Sequence, residues 1–227
     1  MEIPRFLVFT GNIVDHVFGT ERISNLNSAE ITKKIILTTK NKFAIEINNE
    51  LLKLLDGPET NYKSIDTVIS EDINDAINYP TEFLNQQWPS GIPPHEIKLK
   101  VGGLIMLLRN LNPKKGLLNG TRLKVTKLEL FVIEGKIISG SNIGRKVIIL
   151  RSSDPNFPVK MKRRQFSILP AFAMTINKSQ GQSFESVGVY LPEEIFAHGK
   201  LYVALTRCKF SNKLKVFLNP MDEIYIY

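Results

Sequence analysis

The sequence predicts an α/β domain made of two sequence pieces, with a small β domain inserted between them. Three stretches carry that prediction. Between Ile35 and Leu55 a buried-looking strand runs into an amphipathic helix. From Ile97, four or five short runs rich in Val, Ile, Leu and Thr follow one another over about 70 residues, separated by turn signals. Past Pro170 a strand, a polar loop, a second strand and a helix ending at Arg207 restore α/β character.

Residues 1–30 read as an N-terminal connector with one short helix. Ile35-Ile36-Leu37-Thr38 is a short apolar run flanked by lysines, as a buried strand requires. Asn41 fits an N-cap for a helix over Lys42 to Leu55, because Phe43, Ile47, Leu51 and Leu54 recur at helical spacing. Gly57-Pro58 ends it. Residues 57–97 are acidic and then rich in Pro, Asn and Gln, which predicts a connector with little regular structure. Its Phe83 and Trp88 read as anchors on a neighbouring surface rather than base-stacking groups.

The strand-rich stretch over 96–165, with Asn119-Gly120 as its clearest turn, predicts a small β-barrel or sandwich. Lys98, Lys100, Arg109, Arg122, Lys124 and Lys127 lie in it and are expected on one face. A strand from Ser167 to Ala173 then leads into Thr175-Ile176-Asn177-Lys178-Ser179-Gln180-Gly181, and Val187 to Leu191 forms another buried strand. Pro192 stands where a helix can begin, with Glu193 and Glu194 in its first turn. That helix runs to about Arg207 and turns Ile195, Leu201, Tyr202 and Leu205 inward.

Charge divides along the chain. Residues 1–94 hold 8 Lys/Arg against 13 Asp/Glu, and residues 95–227 hold 22 against 9, within a total of +8. The basic half fits either a polyanionic partner or a solvated surface kept for solubility. A single cysteine, Cys208, excludes an intramolecular disulfide framework, and three scattered histidines argue against a zinc site, so no metal is expected. No apolar run reaches the roughly 18 residues of a membrane-spanning helix, so no membrane partner is expected. The N-terminus has no basic leader, which predicts an intracellular protein.

The segment 175–181 places hydroxyls, backbone N–H groups and one lysine at a strand end, which suits a phosphate; a plain strand-to-helix cap has the same composition. By spacing alone Arg207 at a helix end reads as a partner for the helix dipole, although an arginine so placed can also offer its guanidinium to a transferred phosphate. The sequence contains no G-x-x-x-x-G-K-[ST], so the usual loop for nucleotide phosphates is missing from it.

Taken together, AFAMTINKSQGQSFESVGVYL and FAHGKLYVALTR resemble the late motifs of the Pif family of superfamily-one 5′→3′ DNA helicases, including the Pif-like helicases of Helitron transposons. IILTTKNKFAIEINNELLKLL resembles that family's fourth motif, and the stretch from PTEFLNQQWPSG to GTRLKVTKLE resembles the entry into its SH3-like insert. The resemblance implies the second of two RecA-like domains, a P-loop NTPase fold without its own P-loop, interrupted by an SH3-like β-barrel. Its pieces would be 31–95 with a connector and 166–227, around an insert at 96–165. It implies that Thr175, Asn177, Lys178 and Ser179 meet single-stranded DNA, that Gln180 and Gly181 face the nucleotide, and that Arg207 is the catalytic arginine finger on the γ-phosphate. Lys40 and Asn41 fall in the fourth motif without an assigned role. Asn177 stands where the family usually has histidine, Ser183 where it has threonine and Thr206 where it has serine.

The implied partners are single-stranded DNA and a first RecA-like domain, and the implied cofactors are ATP and Mg²⁺ held with that domain's help. The expectation is therefore the C-terminal portion of an ATP-dependent DNA helicase, inactive alone and nuclear or mitochondrial. The rivals are a non-catalytic single-strand-binding module and a subunit that completes an ATP site on another chain.

Overall fold

The computed structural model describes residues 3–19, 28–69, 79–89, 91–154, 161–193 and 198–218. Two compact units divide the chain: Met1–Asp56 joined with Ala171–Tyr227, and Gly57–Pro170. The first unit opens with β1 (Val8–Phe9), α1 (Ile13–Phe18), α2 (Ser28–Ile31), β2 (Lys34–Thr38) and α3 (Asn41–Lys53). The second comprises β3 (Thr60–Lys63), β4 (Ile65–Val68), α4 (Thr81–Gln86), β5 (Glu96–Leu99), β6 (Leu104–Leu107), β7 (Arg122–Leu128), β8 (Val132–Ile137), β9 (Lys146–Leu150), β10 (Ser152–Asp154), β11 (Met161–Gln165) and β12 (Ile168–Pro170). The chain then returns to the first unit as β13 (Ala173–Thr175), β14 (Ser186–Leu191), α5 (His198–Leu205) and β15 (Leu214–Leu218). Among the described residues no helix is long and apolar enough to cross a membrane.

The first unit is built on a five-stranded sheet in the order β1-β15-β14-β2-β13, with every pair parallel. Ile35, Ile36 and Leu37 are completely buried, as a strand covered on both faces must be, and this is why β2 reads as an unbroken apolar run. Helix α3 buries Ala44, Ile47, Asn48, Leu51 and Leu52. Phe43 and Leu54, expected on that inner face, are only half-buried. Asn48 is the polar member of the inner row. Its amide accepts from Phe172 N–H (2.9 Å) and Ala173 N–H (3.0 Å) and donates to the Ala173 carbonyl (2.8 Å), stitching the helix to β13. Gly188 lets α1 lie close on β14, since a Cβ there would sit 2.6 Å from a Val17 methyl.

Four local expectations are corrected here. The N-cap of α3 is Lys40, with Asn41 already inside the helix. The run 167–173 is two strands in different sheets, because β12 pairs with β6 and β13 with β2. Pro192 and Glu193 lie outside α5, which begins at His198. Glu194 and Ile195 lie outside the described residues. Leu201 and Ala204 form the buried side of α5, whereas Tyr202 is 62% exposed.

In the second unit an antiparallel sheet, β12-β6-β7-β8-β9, carries most of a core that includes Leu107, Leu123, Ile133, Ile149 and Phe166. Gly120 adopts φ +83° in the predicted turn ahead of β7. The unit is larger than the expected 96–165, because part of the expected connector is strand. β3 pairs with β5 and β4 pairs with β11. Trp88 does anchor locally, donating its indole N–H to the Ile92 carbonyl at 2.9 Å. Phe83 stays 43% exposed, beside Tyr79.

Arg163 explains how so polar a segment folds. Its guanidinium is fully buried and spans both oxygens of Asp66, at 2.9 and 2.6 Å. The remaining donors go to the carbonyls of Leu84, Gln87 and Pro93 at 2.8–3.1 Å. One side chain on β11 therefore ties down β4, the end of α4 and the proline-rich stretch before β5. The charged residues of the β strands do not form a single exposed stripe. Arg122 is buried, and burial lowers its guanidinium to about 10. Arg109 is half-buried against Ser152 and Ser153, while Lys127 pairs with Glu129 at 3.0 Å.

Candidate functional site

Parallel strands end together, so the carboxyl ends of β2, β13 and β14 form one edge, at Thr38, Thr175 and Leu191. The chain goes from β2 to β13 on one side and then crosses to β14 on the other. That crossing makes the gap between β2 and β14 a topological switch point, where open α/β sheets receive ligands.

The residues at this edge are polar and incompletely satisfied. The hydroxyl oxygens of Thr38 and Thr39 are buried without a hydrogen-bond partner among the described residues. Lys40, at the start of α3, forms an ion pair with Glu193 just past β14, so one salt bridge spans the switch point. Lys178 donates to the Asn41 side-chain oxygen at 3.2 Å. Burial lowers the Lys178 ammonium to about 8, since a desolvated cation is costly. An anion arriving beside it would favour the charged form.

Beyond β13 the chain makes a 3-10 turn, Ile176–Ser179, in place of a regular helix start. Asn177 and Gln180 are exposed, Thr175 is half-buried, and Gly181 takes φ +76°. Ser179, expected at the DNA, is fully buried and turns its hydroxyl inward, donating to the Ile176 carbonyl at 2.7 Å. Gln182 joins the two halves of the loop. Its amide donates to the Lys178 carbonyl at 3.3 Å, while its own carbonyl accepts from Arg207 at 3.2 Å.

Arg207 is half-buried just past α5. Its Nε donates to the Val203 carbonyl (3.0 Å) and its Nη2 to the Thr206 hydroxyl (3.1 Å). The bond to Val203 satisfies a carbonyl in the last turn of the helix, as a dipole partner would. A guanidinium offers five N–H groups, and with the bond to Gln182 these contacts use three, so two have no partner among the described residues. The backbone is locked as well: Phe184 N–H donates to the Arg207 carbonyl, and Lys209 N–H to the Phe184 carbonyl, both at 2.8 Å.

The structure thus gathers Gln180, Gly181 and Arg207 around Gln182, and Lys178 with Asn41 at the strand ends. Sequence reasoning passed over Thr38, Thr39, Gln182 and the Lys40–Glu193 pair. The only signal for the threonines was two hydroxyls closing an otherwise apolar strand.

A parallel α/β unit with a polar carboxyl edge, interrupted by an antiparallel β unit of similar length, defines the chain as part of an α/β protein. Residues 82–128 match the family model described as DNA helicase Pif1, 2B domain. The ATP-dependent DNA helicase PIF1 of Xenopus laevis is 30% identical over 195 residues, covering 80% of this chain and 27% of the relative. The human PIF1 helicase is 33% identical over 132 residues, 55% of this chain and 20% of the relative. A solved structure of two coordinating Pif1 helicases at forked double-stranded DNA matches 86% of this chain and 41% of its own, with TM-score 0.62 and 27% identity. Bacteroides Pif1 bound to single-stranded DNA matches with TM-score 0.59 and 25% identity, over 82% and 40%. The chain is a Pif1-family helicase relative that corresponds to the C-terminal portion of those proteins, and it spans about a quarter of the curated relatives' length.

Proposed function

We propose that the chain forms the C-terminal portion of an ATP-dependent DNA helicase, comprising the second RecA-like domain and its SH3-like insert. The carboxyl edge would hold the backbone of single-stranded DNA through Thr175, Asn177 and Lys178. Gln180, Gly181 and Arg207 would face a nucleotide whose phosphate loop and Mg²⁺ ligands come from a first RecA-like domain. ATP supplies the phosphoryl group there, and the guanidinium of Arg207 steadies the charge that develops as it leaves. The observation that carries the DNA reading is the desolvated ammonium of Lys178 at the carboxyl edge, held by the Asn41 side chain next to the exposed Asn177. A cation kept from water is stabilised by an anion beside it, and a phosphate supplies one. Support also comes from the relative solved with single-stranded DNA.

Two outcomes test this reading on the chain alone. Affinity for a fluorescent oligothymidylate should fall roughly ten- to twentyfold between about 50 and 200 mM salt, as about three released counterions require. Binding that ignores salt would refute it. Lys178 titrates near 8, so its phosphate contact is complete at lower pH and fades as pH rises to about 9. Lys178→Arg should remove that pH dependence, because a guanidinium stays charged throughout. Equal pH profiles for the two proteins would remove Lys178 from the interface. ATP turnover by the chain alone should stay at background, and turnover abolished by Arg207→Ala would contradict the division of labour.

The non-catalytic single-strand-binding reading also has an observation behind it, since Arg207 is already engaged by its own neighbours.

A further inference from the structure

In the second unit, β9 is the last strand of its sheet, and among the described residues it pairs only with β8. The ladder shows which of its groups face outward. Arg151 N–H donates to the Phe131 carbonyl, and Arg145 accepts from Ile137 N–H. In an antiparallel pair the bonded residues alternate, so 145, 147, 149 and 151 turn their backbone groups toward β8. Lys146, Ile148 and Leu150 therefore aim N–H and C=O groups at the open edge.

The same residues present apolar side chains to water. Ile148 is 58% exposed and Leu150 61%, while Val147 and Ile149 are buried. Phe131 continues this surface at 53% exposure, with the Arg164 guanidinium 5.8 Å from its ring centre. Edge strands are ordinarily blunted by proline, bulges or central charge, and β9 has none of these at its middle. Charge sits instead at its ends: Arg145 before it, Lys146 at its first position, and after it Arg151, half-buried and donating to the Lys63 carbonyl.

We infer that β9 is a docking edge for an extended peptide segment of a partner protein, one with alternating apolar residues and acidic residues at both ends. Strand addition would satisfy the outward backbone groups of Ile148 and Leu150 and cover their side chains. The terminal basic residues select acidic flanks. They also disfavour a second copy of this chain, since pairing β9 with itself about Ile148 sets Arg145 against Arg151 at both ends. Nucleic acid fits less well, because the surface is mainly aliphatic and the ring of Phe131 is already covered by Arg164.

The test uses fluorescein-labelled Asp-Glu-Val-Thr-Val-Thr-Val-Glu-Asp and a version with lysine in place of the four acids, each titrated with the full chain by anisotropy. The acidic peptide should bind at least about tenfold more tightly than the lysine version, the ratio that one strong charged contact produces. Ile148→Pro removes an outward N–H without touching a bond to β8, and should weaken binding about tenfold with melting temperature unchanged. Ile148→Val, which keeps the donor, should stay within about threefold. If the proline variant melts early, Leu150→Glu serves instead: it should weaken the acidic peptide and strengthen the lysine one. Several results would overturn the proposal: no binding, equal binding of both peptides, oligothymidylate binding lost in Leu150→Glu, or a dimer in sedimentation that Leu150→Glu dissolves.

Discussion

Arg163→Met destabilises the Gly57–Pro170 unit by about 3–5 kcal/mol, the cost of stranding one member of a buried ion pair. The carboxylate of Asp66 is left inside with only the Ser64 hydroxyl and the His95 ring, 3.9 Å away, beside it, and three carbonyls lose the guanidinium at the same time. Trp88, the chain's single tryptophan, lies in the segment that the arginine ties down. Denaturant unfolding followed by its fluorescence therefore reads the effect directly. Arg163→Lys should recover little, because an ammonium cannot span both carboxylate oxygens and reach the carbonyls as well. The double variant Arg163→Met with Asp66→Leu should regain part of the loss, since neither charge is then stranded. A loss under about 1 kcal/mol in the single variant would mean that water reaches Asp66, and the clamp would lose its standing as the fold's organiser.

That clamp also shows what the sequence hid. Strands β2 and β14 were legible because burial on both faces demands an uninterrupted apolar run, and α3 because its inner face repeats at helical spacing. By contrast β3, Thr-Asn-Tyr-Lys, and β4, Ile-Asp-Thr-Val, are short and mixed in polarity. They are strands because β5 and β11 pair with them and because Arg163 reaches back about a hundred residues in sequence, which no local pattern announces. The start of α5 misled in the opposite way. Pro192-Glu193-Glu194 has the composition of a helix start, yet Glu193 engages Lys40 across the sheet edge. Tyr202 followed the helical period but faces water, while the small Ala204 is wholly buried.

The site divides along the same line. The loop 175–181 was visible as a polar interruption between two apolar strands, and its motif-level resemblance gave roles to individual residues. Thr38 and Thr39 gain meaning only when sheet order puts the end of β2 at the crossing, and sheet order is a long-range property. Ser179 is the opposite case. Its hydroxyl sits within a polar motif, but the 3-10 turn folds it inward onto the Ile176 carbonyl.

Arg207→Lys separates the two readings of that arginine most sharply. In a chimera that fuses a relative's first RecA-like domain to this chain, the proposed function predicts a fall in kcat of about 10³-fold or more, with DNA affinity within about twofold. That is about 4 kcal/mol of transition-state stabilisation, which a single hydrogen bond to a neutral carbonyl cannot supply. The geometry explains why lysine cannot substitute. The guanidinium holds Val203, Thr206 and Gln182 with three N–H groups and has two more without a partner among the described residues, whereas an ammonium has three donors in all and no planar fork. A structural arginine behaves differently: its loss loosens the Gln182 carbonyl and hence the loop that carries Lys178, so hydrolysis and DNA binding decline together and the melting temperature drops. The diagnostic quantity is thus the ratio of the two losses at matched folding. A large ratio assigns Arg207 to the nucleotide; a ratio near one, with reduced melting, assigns it to the loop and leaves the chain as a single-strand-binding element.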